Sequence, residues 1–416
     1  MSTPRPIVIT AVGSAGDLHP HLGLALALQQ RGHPVRVLTS PTYRDAVENA
    51  GIDYVGCGSL ELLASVLLDR RVWSAKKGFA GIWPMVNEMM RDSLRYIESI
   101  REQQPLLIGS TLAFGPRLAA EKYGLPFIGT QLAPSIFWSA HEPPRYKDTG
   151  FIHWLSPKWR RKVWSVIERQ YVDRICQPDL NGLRERLGLP PVCNVFTGWA
   201  NHGELVLCLF PDWFAAPQPD WPGRSRLVGF PLFDESGQHR LDDELRRFIG
   251  GPEPVVVFCP GSAMAQAESY FRTAAEVCRR LPLKGIFLSR FTQQLPNLPA
   301  NVLHRSYLPF SEVLPHAAAL VHHGGIGSAA QAFRAGIPQL VLPMAHDQFD
   351  NAERIERLGC GKALQWGAGK RGFSRALQAL LADEAVRGNA RRVAGNFGDT
   401  AANLRQACEA IEARLH

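Results

Sequence analysis

The residues best placed for chemistry lie between Leu320 and Asn351, in the run LVHHGGIGSAAQAFRAGIPQLVLPMAHDQFDN. His323 stands at the end of an apolar stretch and is followed by Gly324, Gly325, Gly327 and Ser328, which open a helical pattern through Gln331 and Arg334. Glycines let backbone amides approach a ligand closely, and a helix start adds about half a positive charge. This is a cradle for phosphate, to which His323 can add a hydrogen bond or a full charge. About twenty residues on, His346-Asp347-Gln348 follows another apolar run, at the carboxyl end of a strand where open α/β sheets bind ligands. The two clusters together suit a diphosphate at one end and a polyhydroxyl group at the other. A third candidate is Asp17, in Gly13-Ser14-Ala15-Gly16-Asp17-Leu18-His19-Pro20 after the first apolar run. A carboxylate there can act as a general base, a role worth about 10²- to 10⁴-fold in rate. Asp17 also suits capping of a helix that begins near His21, and both roles can hold together. His19 is the second candidate base, because imidazole titrates near neutrality.

The elements that must hold these residues alternate between short Val- and Ile-rich strands and helical patterns, which predicts parallel sheets covered by helices. Ile7 to Val12 is a strand, Leu22 to Gln30 a helix, Val35 to Leu38 a strand and Tyr43 to Ala50 a helix. Val255 to Cys259, leading into Pro260-Gly261-Ser262, starts the scheme again. Two such starts in 416 residues predict two nucleotide-binding-like domains. The Pro- and Gly-rich passage from Ala215 to Gly237 is the natural linker between them.

Composition excludes several classes. With 45% hydrophobic and 20% charged residues the chain is ordinary globular protein. The net charge of +8 suits a phosphate-bearing substrate or an anionic surface, but no dense Lys/Arg block or zinc-finger spacing points to nucleic acid. The eight cysteines form no CxxC pair and read as buried thiols in a reducing compartment. No signal peptide or membrane-spanning run is expected, so the reading is cytoplasmic, with a peripheral membrane contact open. No Asp-x-Asp motif follows a strand, and Asp242-Asp243 reads as a helix cap, so no metal is expected. Gly13 to Asp17 does not satisfy the G-x-G-x-x-G pattern of a dinucleotide-dependent enzyme. A non-catalytic sugar-nucleotide-binding subunit would not need Asp17 together with His323.

The array His323-Gly324-Gly325-Ile326-Gly327-Ser328, then Gln331, Gly336-Ile337-Pro338 and Asp347-Gln348, resembles the donor-binding motif of nucleotide-sugar glycosyltransferases with the GT-B fold. That resemblance implies an α/β chain with two Rossmann-like domains facing a cleft and a C-terminal helix crossing back to the first. The corresponding boundaries are an acceptor-binding domain at 1–226, a linker at 227–240, a donor-binding domain at 241–395 and a returning helix at 396–416. It also implies that His323 and the amides of Gly325 to Ser328 meet the developing diphosphate charge, with Gly261 and Ser262 near phosphate or sugar. Tyr307-Leu308-Pro309 would stack on and read the base. His346, Asp347 and Gln348 would hold the sugar, while Ser14, Gly16 and His19 would lie near the acceptor with Asp17 as base. His322 would be structural. Gln331 stands where plant relatives hold both ribose hydroxyls with a glutamate, which favours deoxyribose and hence a dTDP-sugar.

Further stretches, among them YRDAVENAGI (43–52), CLFPDWFAAPQPDWP (208–222) and HDQFDNAERIERLGCG (346–361), are similar to the bacterial rhamnosyltransferases of rhamnolipid biosynthesis. They imply inverting transfer of L-rhamnose from dTDP-L-rhamnose to a 3-(3-hydroxyalkanoyloxy)alkanoic acid, without a cofactor. A UDP-glucose- or other dTDP-sugar-dependent enzyme acting on a sterol, macrolide or other lipophilic acceptor is the alternative. For a lipid acceptor, the Trp- and Met-rich region around Trp73, Phe79, Trp83, Met85, Met89 and Met90 is either an adaptable binding wall or plain core. The helix from Ser156, with Lys158, Arg160, Arg161 and Lys162 at its start, is either a solvated basic face or a contact with the inner membrane. A partner that synthesises the acceptor is a further candidate for that contact.

Overall fold

The computed structural model describes residues 5–415 apart from 75, 202 and 236–240; part of the expected linker therefore lies outside the described residues. The chain divides into two compact units, one made of residues 1–233 and 399–416, the other of residues 234–398. Among the described residues the first unit holds seven parallel strands: β1 (Ile7–Thr10), β2 (Val35–Thr39), β3 (Asp53–Gly56), β4 (Leu106–Gly109), β5 (Phe127–Gln131), β6 (Leu205–Cys208) and β7 (Ser225–Leu227), in the order β3-β2-β1-β4-β5-β6-β7. The second holds six: β8 (Val255–Cys259), β9 (Lys284–Leu288), β10 (Val302–Arg305), β11 (Ala319–His322), β12 (Gln339–Val341) and β13 (Gly361–Ala363), in the order β10-β9-β8-β11-β12-β13.

The central strands are continuous apolar runs because helices cover both faces. IVIT of β1 and VVVF of β8 are fully buried. Each such Ile, Val or Phe contributes about 1.5–3 kcal/mol by leaving water. In both sheets the strand order reverses beside the first strand of the unit, between β1 and β4 and between β8 and β11. Ligands of open α/β sheets bind at these reversals, outside the carboxyl ends of the strands. The loops that leave there are Val12 to Asp17 and Ser110 in one unit, Gly261-Ser262 and His323 to Gly325 in the other. Both candidate clusters are thus delivered by sheet topology alone.

The helix Ala15–Gln30 starts seven residues earlier than its apolar periodicity predicts, and Pro20 lies inside it. Ser14 and Asp17 form a reciprocal cap on its first turn, so the proline costs one bond to the Gly16 carbonyl without ending the helix. The Trp- and Met-rich segment spans the short turn Arg70–Trp73 and the long helix Gly78–Ser99, with Trp83, Met85, Met89 and Met90 buried in the core of the first unit and Trp73 partly buried against it. Six of the cysteines are buried free thiols, with Cys259 half-buried and Cys193 exposed.

The last helix, Thr400–Glu412, packs on Ala15–Gln30 within the first unit, burying Ala407, Cys408, Ala410 and Ile411. Glu412 closes the contact by accepting two bonds of 2.6 Å from Arg31 and facing His33 at 2.9 Å. Arg31 holds the Glu412 carboxyl down at about 2, against an ordinary value of 4.5. A depressed acid stabilises the fold above its unfolded value and stops doing so as pH falls through its folded one. Glu412→Ala should therefore lower the melting temperature at pH 7 by about 1–3 °C, small because the pair is solvent-screened. The difference from the parent should shrink between pH 4.5 and about 2 in parallel melts.

Candidate active site

In the first unit, Ser14 caps the helix and Asp17 occupies its third position. The Ser14 amide and hydroxyl donate to Asp17 Oδ2 at 2.7 and 3.1 Å, and the Gly16 amide donates to Ser14 Oγ at 3.2 Å. One carboxylate oxygen is thus held by the cap, leaving Oδ1 for a substrate hydroxyl. Burial raises the Asp17 pKa against the opposing Ser14 hydrogen bonds, which makes it a better proton acceptor than an exposed carboxylate. Gly13 has φ +142°, and a methyl group there would overlap Asp17 Oδ2. Gly13→Ala is accordingly expected to displace the carboxylate and strain the turn by about 1–3 kcal/mol. Steady-state kinetics should show kcat falling at least ten-fold.

His21, which the sequence reading passed over, lies directly beneath. Its Nδ1 is 2.6 Å from the Asp17 carbonyl, to which it donates, and its Nε2 is 2.7 Å from Thr130 Oγ1 on β5. Burial pushes this imidazole down to about 4, so it is neutral at pH 7 and accepts from the Thr130 hydroxyl. The bond ties the backbone of Asp17 to the central sheet. Across the strand reversal, Ser110 Oγ accepts from the Val12 amide at 3.0 Å and fixes the entry to the same loop. His19 turns its ring edge-on to Phe233, with centroids 5.9 Å apart.

In the second unit, Gly325 caps the helix Ile326–Ala335 and has no side chain to offer the first turn. The amides of Ile326, Gly327 and Ser328 therefore lack intrahelical acceptors and form an anion seat. The imidazole of His323 lies between two glycines. A methyl group on Gly261 (φ +113°) would come within 3.0 Å of Nε2, and one on Gly325 within 2.5 Å. These glycines are required by the ring as much as by any phosphate. Burial lowers His323 to about 4, opposed by the Cys259 backbone and aided by His346, so the ring contributes a hydrogen bond rather than a full charge at neutral pH. Gln331, one turn along the helix, is buried with Oε1 unpartnered. A buried amide oxygen without a donor costs free energy unless a ligand fills it.

The turn is braced from behind. His322 Nδ1 accepts from the Gly324 amide at 3.2 Å and its Nε2 donates to Gln339 Oε1 at 3.0 Å, which fixes the tautomer. Asn351 Nδ2 donates to the Gly324 carbonyl at 2.9 Å and to Asp347 Oδ2 at 2.7 Å, joining the glycine turn to the 346–348 loop. In that loop His346 is exposed and adopts φ +56°, a conformation costly for a non-glycine residue and often found at ligand sites. Gln348 is buried and gives Oε1 to the amides of Met344 and Ala345, leaving only its amide nitrogen for a ligand. Ser262 is exposed after Gly261. Tyr307 accepts from the Glu235 amide at 3.2 Å, while the Leu308 side chain belongs to the core, so only its backbone could read a base. Asp242 caps the helix Asp243–Ile249 and pairs with Arg305. Among the described residues, no three His, Cys, Asp or Glu side chains cluster as a metal would need.

Two family models match the chain in separate parts. The glycosyltransferase family 28 N-terminal domain covers residues 7–141, and the C-terminal domain of erythromycin biosynthesis protein CIII-like enzymes covers residues 286–407. The chain is a GT-B glycosyltransferase. Among relatives of this transferase, O-mycaminosyltylonolide 6-deoxyallosyltransferase of Streptomyces fradiae is 27% identical over 368 residues, spanning 85% of this chain and 84% of that one. The glycotransferase of kitacinnamycin matches in structure over all of both chains, with a TM-score of 0.77 and 22% identity. The glycosyltransferase VinC, solved in complex with dTDP, matches over 98% of this transferase and 100% of that chain, with a TM-score of 0.67 and 20% identity.

Proposed function

We propose that this transferase moves L-rhamnose from dTDP-L-rhamnose to the hydroxyl of a 3-(3-hydroxyalkanoyloxy)alkanoic acid, with inversion and without a metal ion. The observation that carries the donor half is the uncapped helix start at Gly325 beside His323 Nε2, with the unpaired Gln331 oxygen one turn away. Deoxyribose, with one hydroxyl fewer than ribose, asks less of an amide at position 331, and the VinC relative was solved with dTDP. The 6-deoxyallosyl group in the name of the Streptomyces relative supports a 6-deoxyhexose. For the acceptor half, the similarity to rhamnolipid enzymes is supported by a row of aromatic rings in the first unit, half-buried except for the buried Phe196. Trp138 meets Phe196 at 6.3 Å, Phe196 meets Phe79 at 5.3 Å, and Phe79 meets Tyr171 at 6.4 Å.

In this reading Asp17 Oδ1 takes the proton of the acceptor hydroxyl as its oxygen attacks the anomeric carbon from the face opposite the leaving group. The anomeric carbon–oxygen bond to dTDP breaks. The charge left on the diphosphate is met by the amides of Ile326 to Ser328 and by His323, which are fixed before the reaction begins. His346 and Asp347 hold sugar hydroxyls, and Tyr307 lies against the base. The test incubates the protein in EDTA with a panel of dTDP- and UDP-sugars and the hydroxyacyl-hydroxyacid. Release of dTDP from dTDP-rhamnose with formation of a glycolipid supports the reading. Turnover with UDP-glucose on a sterol, or loss of activity in EDTA, overturns it.

A further inference from the structure

One corner of the first unit carries an unusual set of exposed side chains. The short turn Gly150–Trp154 and the helix Pro157–Ile167 present Trp154 at 88% exposure, Trp159 at 57% and Phe151 at 50%. These rings are held out by construction. Arg160 ties the turn to the preceding loop, donating to the turn carbonyls of Ile152 at 3.2 Å and His153 at 2.7 Å and to the Ala140 carbonyl at 3.0 Å. Beneath, Trp164 is buried against Trp138 at 5.3 Å, so the helix is anchored by one face and offers the other. On the offered face Trp159, Lys162, Val166 and Arg169 recur at helical spacing, all exposed, with Lys162 Nζ 4.7 Å from the Trp159 ring centre. Lys158 and Arg161 are exposed beside them. Between residues 145 and 169 the sequence has seven arginines and lysines against two carboxylates. One of those two, Glu168, is buried and engaged by the amides of Phe196 and Thr197.

We propose that this corner docks on the surface of an anionic phospholipid bilayer, with Phe151, Trp154 and Trp159 entering the headgroup layer and Lys158, Arg161 and Lys162 meeting lipid phosphates. Tryptophan is suited to that layer because its body is apolar and its N–H stays wet. Exposed aromatics ringed by basic side chains are the composition of an interfacial helix, and neither part alone binds tightly. A second copy of the chain is disfavoured as occupant, since the same basic face would meet itself. No helix among the described residues is long and apolar enough to cross a membrane, so docking of this kind is peripheral. The inference does not depend on which sugar or acceptor the enzyme uses.

Flotation of the full-length protein with vesicles tests it without donor or acceptor. The parent should float with phosphatidylglycerol–phosphatidylcholine vesicles, less so as salt rises, and stay behind with phosphatidylcholine alone. The triple change Lys158→Glu, Arg161→Glu, Lys162→Glu should cut partitioning at least about fifty-fold. Trp154→Ala with Trp159→Ala should cut it about ten-fold or more. Both variants should keep the parent's melting temperature and dTDP affinity, because these side chains are exposed. Equal binding to neutral vesicles, no binding by the parent, or undiminished flotation of either correctly folded variant would overturn the proposal. So would concentration-dependent dimerisation, or binding of RNA in preference to vesicles, lost with the same substitutions.

Discussion

Asp17→Asn should lower kcat by about 10²- to 10⁴-fold, the usual worth of a positioned general base. Asparagine is the informative change because its amide oxygen can still accept from the Ser14 amide and hydroxyl, the bonds that cap the helix. The variant should melt with the parent and bind dTDP with the same affinity. A change in kcat with neither of those moving would locate the loss in proton transfer. The pH profile gives a second handle. A base works only when deprotonated, so kcat/KM should fall as pH drops through the Asp17 value. Because burial raises that value above 3.8, the acid limb should lie above the range of an exposed aspartate. A variant with wild-type turnover would leave Asp17 as a cap and nothing more.

The second large effect is expected at His323. In the proposed donor geometry, its replacement by alanine removes one fixed hydrogen-bond donor facing the diphosphate and should reduce kcat/KM by about 10²- to 10³-fold. Gly325→Ala should approach the same loss without touching the imidazole's chemistry, since the added methyl group would sit 2.5 Å from Nε2 and turn the ring away. Calorimetry should show both variants losing dTDP affinity. Since the free imidazole titrates at about 4, nucleotide binding should show no loss attributable to His323 between pH 6 and 8. An alanine variant with full dTDP affinity would separate His323 from the diphosphate altogether.

The glycine turn between β11 and the helix Ile326–Ala335 was legible in the sequence because it is local. A strand, four small residues and a helix follow one another between Ala319 and Ala335, and the structure places His323, Gly325, Gly327 and Ser328 together as that spacing implies. The first helix was less legible, since Pro20 breaks the periodicity and the cap that overrides it depends on a three-residue reciprocal contact. His21 was invisible for a different reason: its anchoring partner Thr130 is 109 positions away. The two π-helical turns, Glu168–Asp173 and Val195–Ala200, leave no periodic trace either. They are held by Glu168 and Asp173, buried carboxylates that accept from the amides of residues 194 to 197, a pairing only the folded chain reveals. Gln348 looked like a sugar ligand from its place after the strand, yet its amide oxygen is taken up by the loop that carries Asp347, leaving only the amide nitrogen.

The first unit is assembled from two pieces of chain separated by the whole of the second. During synthesis, the helix Ala15–Gln30 is complete 370 codons before the segment that covers it, Thr400–Glu412, begins. Until then Arg31 and His33 lack Glu412, and the surface awaiting Ala407, Cys408 and Ile411 is open to water. Residues 234–398 are contiguous and need no such wait. Ribosome-stalled intermediates should therefore acquire protease resistance in residues 234–398 first, leaving the first unit to mature last.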